Sequence, residues 1–386
     1  MSKKIFYLIF VSCIILIGSA CSSSLSTQAT SSIVVTRIPA TDAGNPELIA
    51  ASAENNPADK SQLACSHEDL ICIGLIVSSG HIDDNAYNQS AWEALKRSEV
   101  DLQTNIDFIE VENASEFDSG IAYFADKDFD IIVTVGREIY ASTVEAAGDY
   151  PDVDFIGVDQ FEYQFLSNAV GLVFPDYQSG FLAGALAAML TQTGIVGAVL
   201  GSESSVSIIN FKRGFEDGAN AINSDVQILS VHNPVKIGST LVDPSWGAQT
   251  ASELISQGAD VILASAGESG DRALVEVANH SNALCIGVGA DRWLTLPEAR
   301  PCLVSSAMQE IPSGVFELIG WHVLGKMPTG EFQGRVELAP FHEFSTFIPA
   351  DAKAVLNEID AGLVNKTIPM DGSYRLQNAP LIFIDR

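Results

Sequence analysis

Two doubly wound α/β lobes joined by a hinge are the fold class this sequence predicts, and three observations lead there. Short apolar runs rich in Val and Ile alternate with longer segments of helical character from residue 71 to residue 325. Within most runs successive residues are apolar, so both faces of each strand must be covered, as in a parallel sheet flanked by helices. The alternation also comes as two series, in a stretch of about 320 residues (67–386) that is too long for one small core.

The first series reads as strands at 71–77, 106–111, 130–135, 153–158 and 168–173, with helices at 86–98, 114–126 and 137–149. The second reads as strands at 194–200, 226–231, 260–265, 284–288 and 302–306, with helices at 176–191, 206–222, 246–257 and 269–280. A helix over 311–325 is expected to cross back. Lobe 1 is then 67–174 plus 308–330, lobe 2 is 175–307, and a Phe-rich tail, 331–386, packs over the hinge. Ligands of such sheets lie at the carboxyl ends of the strands, here between the lobes.

Upstream, Lys3 and Lys4 precede an apolar run, Ile5 to Ile17, and then Gly18-Ser19-Ala20 before Cys21. That is the layout of an export signal over 1–20, and the run is short for a membrane span. A Cys after small residues resembles a bacterial lipobox, although Gly18 stands where that pattern prefers Leu, Val or Ile. Acylation (palmitate, for example) at Cys21 would tether the protein to the extracytoplasmic side of a bacterial cell membrane without spanning it. Residues 21–66, rich in Ser and Thr and then in Ala, Asn, Asp and Pro, read as a flexible linker behind that anchor.

Charge narrows the partners. Lys and Arg number 20 against 49 Asp and Glu, and loss of residues 1–20 would leave a net charge of −31. So acidic a surface repels nucleic acid and anionic lipid. Of the six cysteines, Cys13 lies in the signal and Cys21 is the acylation candidate. Cys65, Cys72, Cys285 and Cys302 remain, an even number in an exported chain. The preferred pairing is 65–72, close in sequence, with 285–302, on strands expected to be adjacent.

Chemistry is sparse. Gly267-Glu268-Ser269-Gly270 lacks the spacing of a nucleophile elbow, and no P-loop, HExxH or post-strand GxGxxG occurs. A binding protein without cofactor or metal is expected rather than an enzyme. His81, Asp83 and Asp84 could hold a metal, but loop polar residues do so rarely.

The most informative stretch is 80–92, Gly-His-Ile-Asp-Asp-Asn-Ala-Tyr-Asn-Gln-Ser-Ala-Trp. It joins the first strand to a helix, where unpaired N–H groups meet ligands. Tyr87 offers a face to stack on, beside the hydrogen-bonding Asp84 and Asn88. The alternative is that Asp83, Asp84 and Asn85 merely form the turn and cap the helix.

This turn resembles that of the basic membrane protein family, nucleoside-binding lipoproteins of ABC transporters, whose pattern runs roughly Gly-x-x-Asp-Asp-x-Ser-Phe-Asn-Gln-Ser-Ala-Trp. The likeness continues through 151–155, 179–188, 193–197, an FxxGFxxG-like stretch from Phe211 to Gly218, 258–262 and 286–288, covering about 70–330. It implies a type I periplasmic-binding fold closing on a purine nucleoside, a monomer, and an ABC permease as partner. It implies Tyr87 as the stacking ring and Asn88 beside it. Ser78, Asp84, Gly136, Asp159, Leu241, Gly267, Gly289, Asp291 and Gln309 fall at further ligand-facing positions.

Four departures matter. Ser78 stands where the family often has an Asp that addresses the base, and Leu241 or a neighbour takes the place of a second stacking Phe. In Gly287-Val288-Gly289-Ala290-Asp291, Gly289 replaces a ribose-binding Asp, and Gln309 replaces a Lys. Losing carboxylate and Lys together is coherent, because a lone buried charge is costly. It removes charge-assisted bonds to sugar hydroxyls, which points to a free nucleobase or another flat heterocycle. A ligand sensor or surface protein on the same scaffold, uncoupled from transport, is the alternative.

Overall fold

The computed structural model describes residues 65, 70–78, 81–84, 86–111, 113–161, 163, 165–234 and 243–384. The expected export signal 1–20, Cys21, most of the linker and Leu241 lie outside the described residues.

Strands β1 (Cys72–Val77), β2 (Asn105–Glu110), β3 (Ile131–Val135), β4 (Asp154–Val158) and β5 (Ala169–Val173) form the parallel sheet of lobe 1, in the order 5-4-3-1-2. Strands β6 (Ile195–Leu200), β7 (Gln227–His232), β8 (Val261–Ser265), β9 (Leu284–Gly289) and β10 (Leu303–Gln309) repeat that order, 10-9-8-6-7, in lobe 2. Ile73, Leu75, Ile76 and Val77 are all fully buried, so β1 is covered on both faces, which explains its unbroken apolar run. Each sheet gains an edge strand that the sequence reading lacks. β11 (Gly330–Gln333) lies parallel beside β5, and β12 (Val336–Leu338) antiparallel beside β10.

The helices on the sheets are α1 (Tyr87–Asp101), α2 (Phe117–Ala125), α3 (Tyr140–Asp149), α4 (Asp176–Leu190), α5 (Val206–Ile222), α6 (Pro244–Ser256), α7 (Glu268–Ala278), the one-turn α8 (Arg292–Thr295), α9 (Ile311–Val323) and α10 (Ala350–Val364). The closest pair is α4 with α5. A Cβ on Gly180 or Gly184 would lie 2.0 Å from the carbonyl oxygen of Phe211 or Phe215, and one on Gly214 would lie 2.0 Å from that of Tyr177. These glycines let two helix backbones touch. Disulfides join Cys65 to Cys72 and Cys285 to Cys302, with Cα–Cα separations of 6.1 and 5.1 Å.

The chain passes between lobes three times: from β5 to α4, from β10 through Glu310 to α9, and from β11 to β12. Among its described residues the tail 331–386 meets the hinge through β11, β12 and the two residues between them, where Gly334 N–H donates to the Val173 carbonyl and the Arg335 carbonyl accepts from Glu310 N–H. Beyond them α10 buries Ala352, Leu356, Ile359 and Leu363 in the core shared with α4, and the N–H groups of Leu376 and Ile382 donate to the carbonyls of Ala221 and Met189. Most of the tail therefore lies on lobe 2, because its apolar face matches that core rather than the hinge.

Two acids meet where the second and third crossings run together. Burial first, and then the Glu310 carboxylate, push the Glu337 carboxyl up to about 7 from an ordinary 4.5, with Arg335 opposing and Asp360 adding to the rise. A folded value above the unfolded one means this stabilisation is complete below pH 4.5 and is lost as pH climbs through about 7. The melting temperature should fall across that window, and Glu337→Gln should flatten the fall. A melting profile unchanged by Glu337→Gln would refute the assignment.

Candidate functional site

Because β5 and β10 both lead into crossings, the carboxyl ends of the two sheets face one cleft. A cavity of about 560 Å³ opens there, lined by Arg137, Tyr140 and Phe161 from lobe 1 and by Asp176, Ser207 and Asn210 from the starts of α4 and α5. Its volume suits a small ligand.

Tyr87 is the first residue of α1, and its hydroxyl donates to Oε1 of Gln309, the last residue of β10. Two positions 222 residues apart in sequence thus meet across the lobes. Burial, and then the charges of Asp159 and Asp176, push the Tyr87 phenol well above its usual range, so it stays protonated and donates.

Asp159 follows β4 with φ +57°, and its carboxylate receives Arg137 Nε at 3.1 Å and Nη2 at 3.3 Å. The Arg137 guanidinium also lies 4.5 Å from the centre of the Phe161 ring. Burial raises the Asp159 carboxyl, and Arg137 opposes the rise. Asp176 is raised for the same reason, with a Ser207 hydrogen bond opposing.

Gly136 directly follows β3 at φ +96°, and its carbonyl accepts from Gln160 Nε2 at 2.8 Å. A Cβ there would lie 2.7 Å from the Glu138 carboxylate, which also sits 2.8 Å from the Ser78 hydroxyl. The Ser78 hydroxyl contacts the Val135 carbonyl as well, so this group at the end of β1 is engaged within lobe 1. Glu138 thereby places an exposed carboxylate beside the strand end where the family pattern has its Asp.

Asp84 accepts from the N–H groups of Ala86 at 2.8 Å, Gln89 at 3.1 Å and Asn88 at 3.2 Å, and so caps α1 from three positions before its first residue. The buried Asn88 donates from Nδ2 to the His81 carbonyl at 3.4 Å. The turn is anchored in turn on Glu110, which accepts from Ile82 N–H at 2.7 Å.

In lobe 2, Gly267 precedes α7 at φ +56° and Gly289 ends β9 at φ +93°; a Cβ on either would meet nothing within 4 Å. Both border open space. Asp291 is differently employed: its carboxylate caps α8 through Trp293 N–H at 3.1 Å and holds His342 Nε2 at 2.7 Å. The imidazole of His342 stacks on Trp293. Among the described residues the grouping of metal-type ligands is Cys65, Cys72 and Asp130, and those two sulfurs are bridged.

From residue 72 to residue 332, two thirds of its length, the chain matches the Bmp family, described as "ABC transporter substrate-binding protein PnrA-like". The chain belongs to this family. Bmp relatives include basic membrane protein D of Borreliella burgdorferi, 29% identical over 66% of this chain and 74% of its own. Another is the ABC transporter nucleoside-binding protein BmpA of Lactococcus lactis, 24% identical over 76% of this chain and 88% of its own. Among solved structures, an ABC transporter solute-binding protein from Conexibacter woesei has a TM-score of 0.64 at 19% identity, covering 80% of this chain and 99% of its own. A transcriptional activator of the comK gene from Bacillus halodurans reaches 0.65 at 19%, over 77% and 99%. The fold alone thus serves transporters and regulators, and the Bmp match is what makes this chain a substrate-binding protein. Among the described residues no helix is long and apolar enough to cross a membrane.

Arg137, Glu138, Phe161, Asp176 and Ser207 escaped the sequence reading. Their only signal was position, directly after strand ends or at helix starts on the cleft side.

Proposed function

We propose that this Bmp-family chain is an extracytoplasmic lipoprotein, anchored through Cys21, that binds a purine nucleobase or nucleoside as a monomer and hands it to an ABC permease. The observation that carries this reading is Tyr87. An aromatic ring at the start of α1, tied through its hydroxyl to the opposite lobe, feels the charges of Asp176 and Arg137, which line a cavity large enough for a purine. Open space at Gly289, and Gln309 in place of a cation, favour the free base over a nucleoside clamped by its ribose. The Lactococcus relative's name, a nucleoside-binding protein, agrees with the ligand class. Hinge closure around the ligand would be the state presented to the permease.

Mass spectrometry of ligand released from the purified full-length protein, followed by calorimetry with that compound, tests this directly. A purine base or nucleoside is the expected result. An empty cleft that gives no heat with hypoxanthine, adenine, inosine or guanosine would overturn it.

A further inference from the structure

A glutamine side chain carries one acceptor and two donors, and its surroundings decide which end a ligand meets. At Gln309 that decision is made by Tyr87. The phenol hydroxyl donates to Oε1, an amide oxygen that can only accept, and with Asp159 and Asp176 close by the phenol keeps the proton it donates. The amide oxygen is therefore engaged, and Nε2 points away from the ring. Among the described residues no protein group accepts from that Nε2. That half-buried amide N–H pair at the end of β10 has no protein acceptor, so it can donate to an acceptor that a ligand supplies.

Charge restricts which acceptor fits. Asp159, Asp176 and Glu138 crowd this side of the cleft, and the cation facing them, Arg137, is already bound to Asp159. A phosphate or carboxylate brought here would meet net negative potential. An uncharged carbonyl oxygen would not.

We propose that Tyr87 and Gln309 act as one specificity device, in which the tyrosine hydroxyl fixes the amide so that its N–H groups select an uncharged heterocycle bearing a carbonyl group over one bearing an amino group. Gln309 is the contact and Tyr87 its positioning residue. A phenylalanine at 87 would still offer a ring to stack on, but the amide could then rotate and accept from an amino group as readily as it donates to a carbonyl. The proposal rests on the flat-heterocycle reading above and adds to it a preference within that class.

Calorimetry on the full-length protein with hypoxanthine and adenine decides the matter, because the two bases share shape and stacking face and differ in a carbonyl against an amino group at one ring position. Hypoxanthine is expected to bind the native protein at least about tenfold more tightly, the scale of one well-made hydrogen bond set against a mismatched one. Tyr87→Phe should shrink that ratio toward unity, and Gln309→Glu, which offers only acceptors, should reverse it. A purely structural role for Tyr87 would weaken both bases equally, so the ratio is the diagnostic quantity. Equal affinities in the native protein, or a preference that survives Tyr87→Phe, overturn the device and leave purine binding standing. No heat from either base, nor from inosine or guanosine, overturns both.

Discussion

Gly184→Ala should destabilise the protein by about 2 kcal/mol or more, while Gly148→Ala, the same change in another helix, should stabilise it by up to about 1 kcal/mol. Helix propensity favours alanine at both sites, since glycine costs more backbone entropy on folding. Packing separates them. At Gly148 in α3 an added Cβ meets nothing within 4 Å, so only propensity acts. At Gly184 it would lie 2.0 Å from the Phe215 carbonyl oxygen and 2.9 Å from the Ala219 nitrogen, both backbone atoms of α5. Backbone cannot rotate aside as a side chain can, so α5 must move as a body. Gly218 meets the Phe181 carbonyl at 2.1 Å in the reciprocal sense, which leaves no slack on the other side of the seam. α4 is buried from Gln178 to Leu190, so displacing it disturbs the core it shares with β6, β8 and α10. Thermal melts of the two variants beside the native protein provide the check. A Gly184→Ala protein melting at or above the native temperature would show that the helices can separate at no cost.

The same glycines show how far the sequence could be read. Gly180, Gly184, Gly214 and Gly218 stand four apart in two helices and were visible as pieces of a family pattern, but nothing in one dimension says that the two stripes touch. Strands such as β1 and β8 were legible because a strand covered on both faces needs apolar residues at successive positions, and no other requirement competes there. β11 and β12 were not, since strands of four and three residues at a sheet edge carry too short a pattern. Asp84 looked like a ligand group and a cap alike; the three N–H groups that converge on its carboxylate become evident only once α1 is built. Arg137, Phe161 and Asp176 were missed because their shared cavity depends on how two lobes meet, a property of tertiary structure alone.

Installing Gly289→Asp and Gln309→Lys together should raise the affinity for inosine relative to hypoxanthine by about 10- to 100-fold, the range of one or two charge-assisted hydrogen bonds. The two sites sit on neighbouring strands, with Gly289 of β9 in register with Met308 of β10, one residue before Gln309. An aspartate at 289 would project into space where no heavy atom lies within 4 Å, and an ammonium at 309 could still receive the Tyr87 oxygen as an acceptor. Each single change should gain little. Gln309→Lys alone adds a cation that no new carboxylate balances and removes the amide. Gly289→Asp alone brings a further negative charge into a cleft that already holds Asp159 and Asp176, and forces a side chain onto a backbone at φ +93°, a strain of about 1–3 kcal/mol. The pair should therefore be strongly non-additive in calorimetry, each new charge being tolerated because the other is present. Additive gains from the two single variants would mean that the groups act at separate places. An inosine-to-hypoxanthine ratio unmoved in the double variant would mean that the sugar, if bound at all, lies elsewhere in the cleft, and that the glycine and glutamine found here do not explain a preference for the free base.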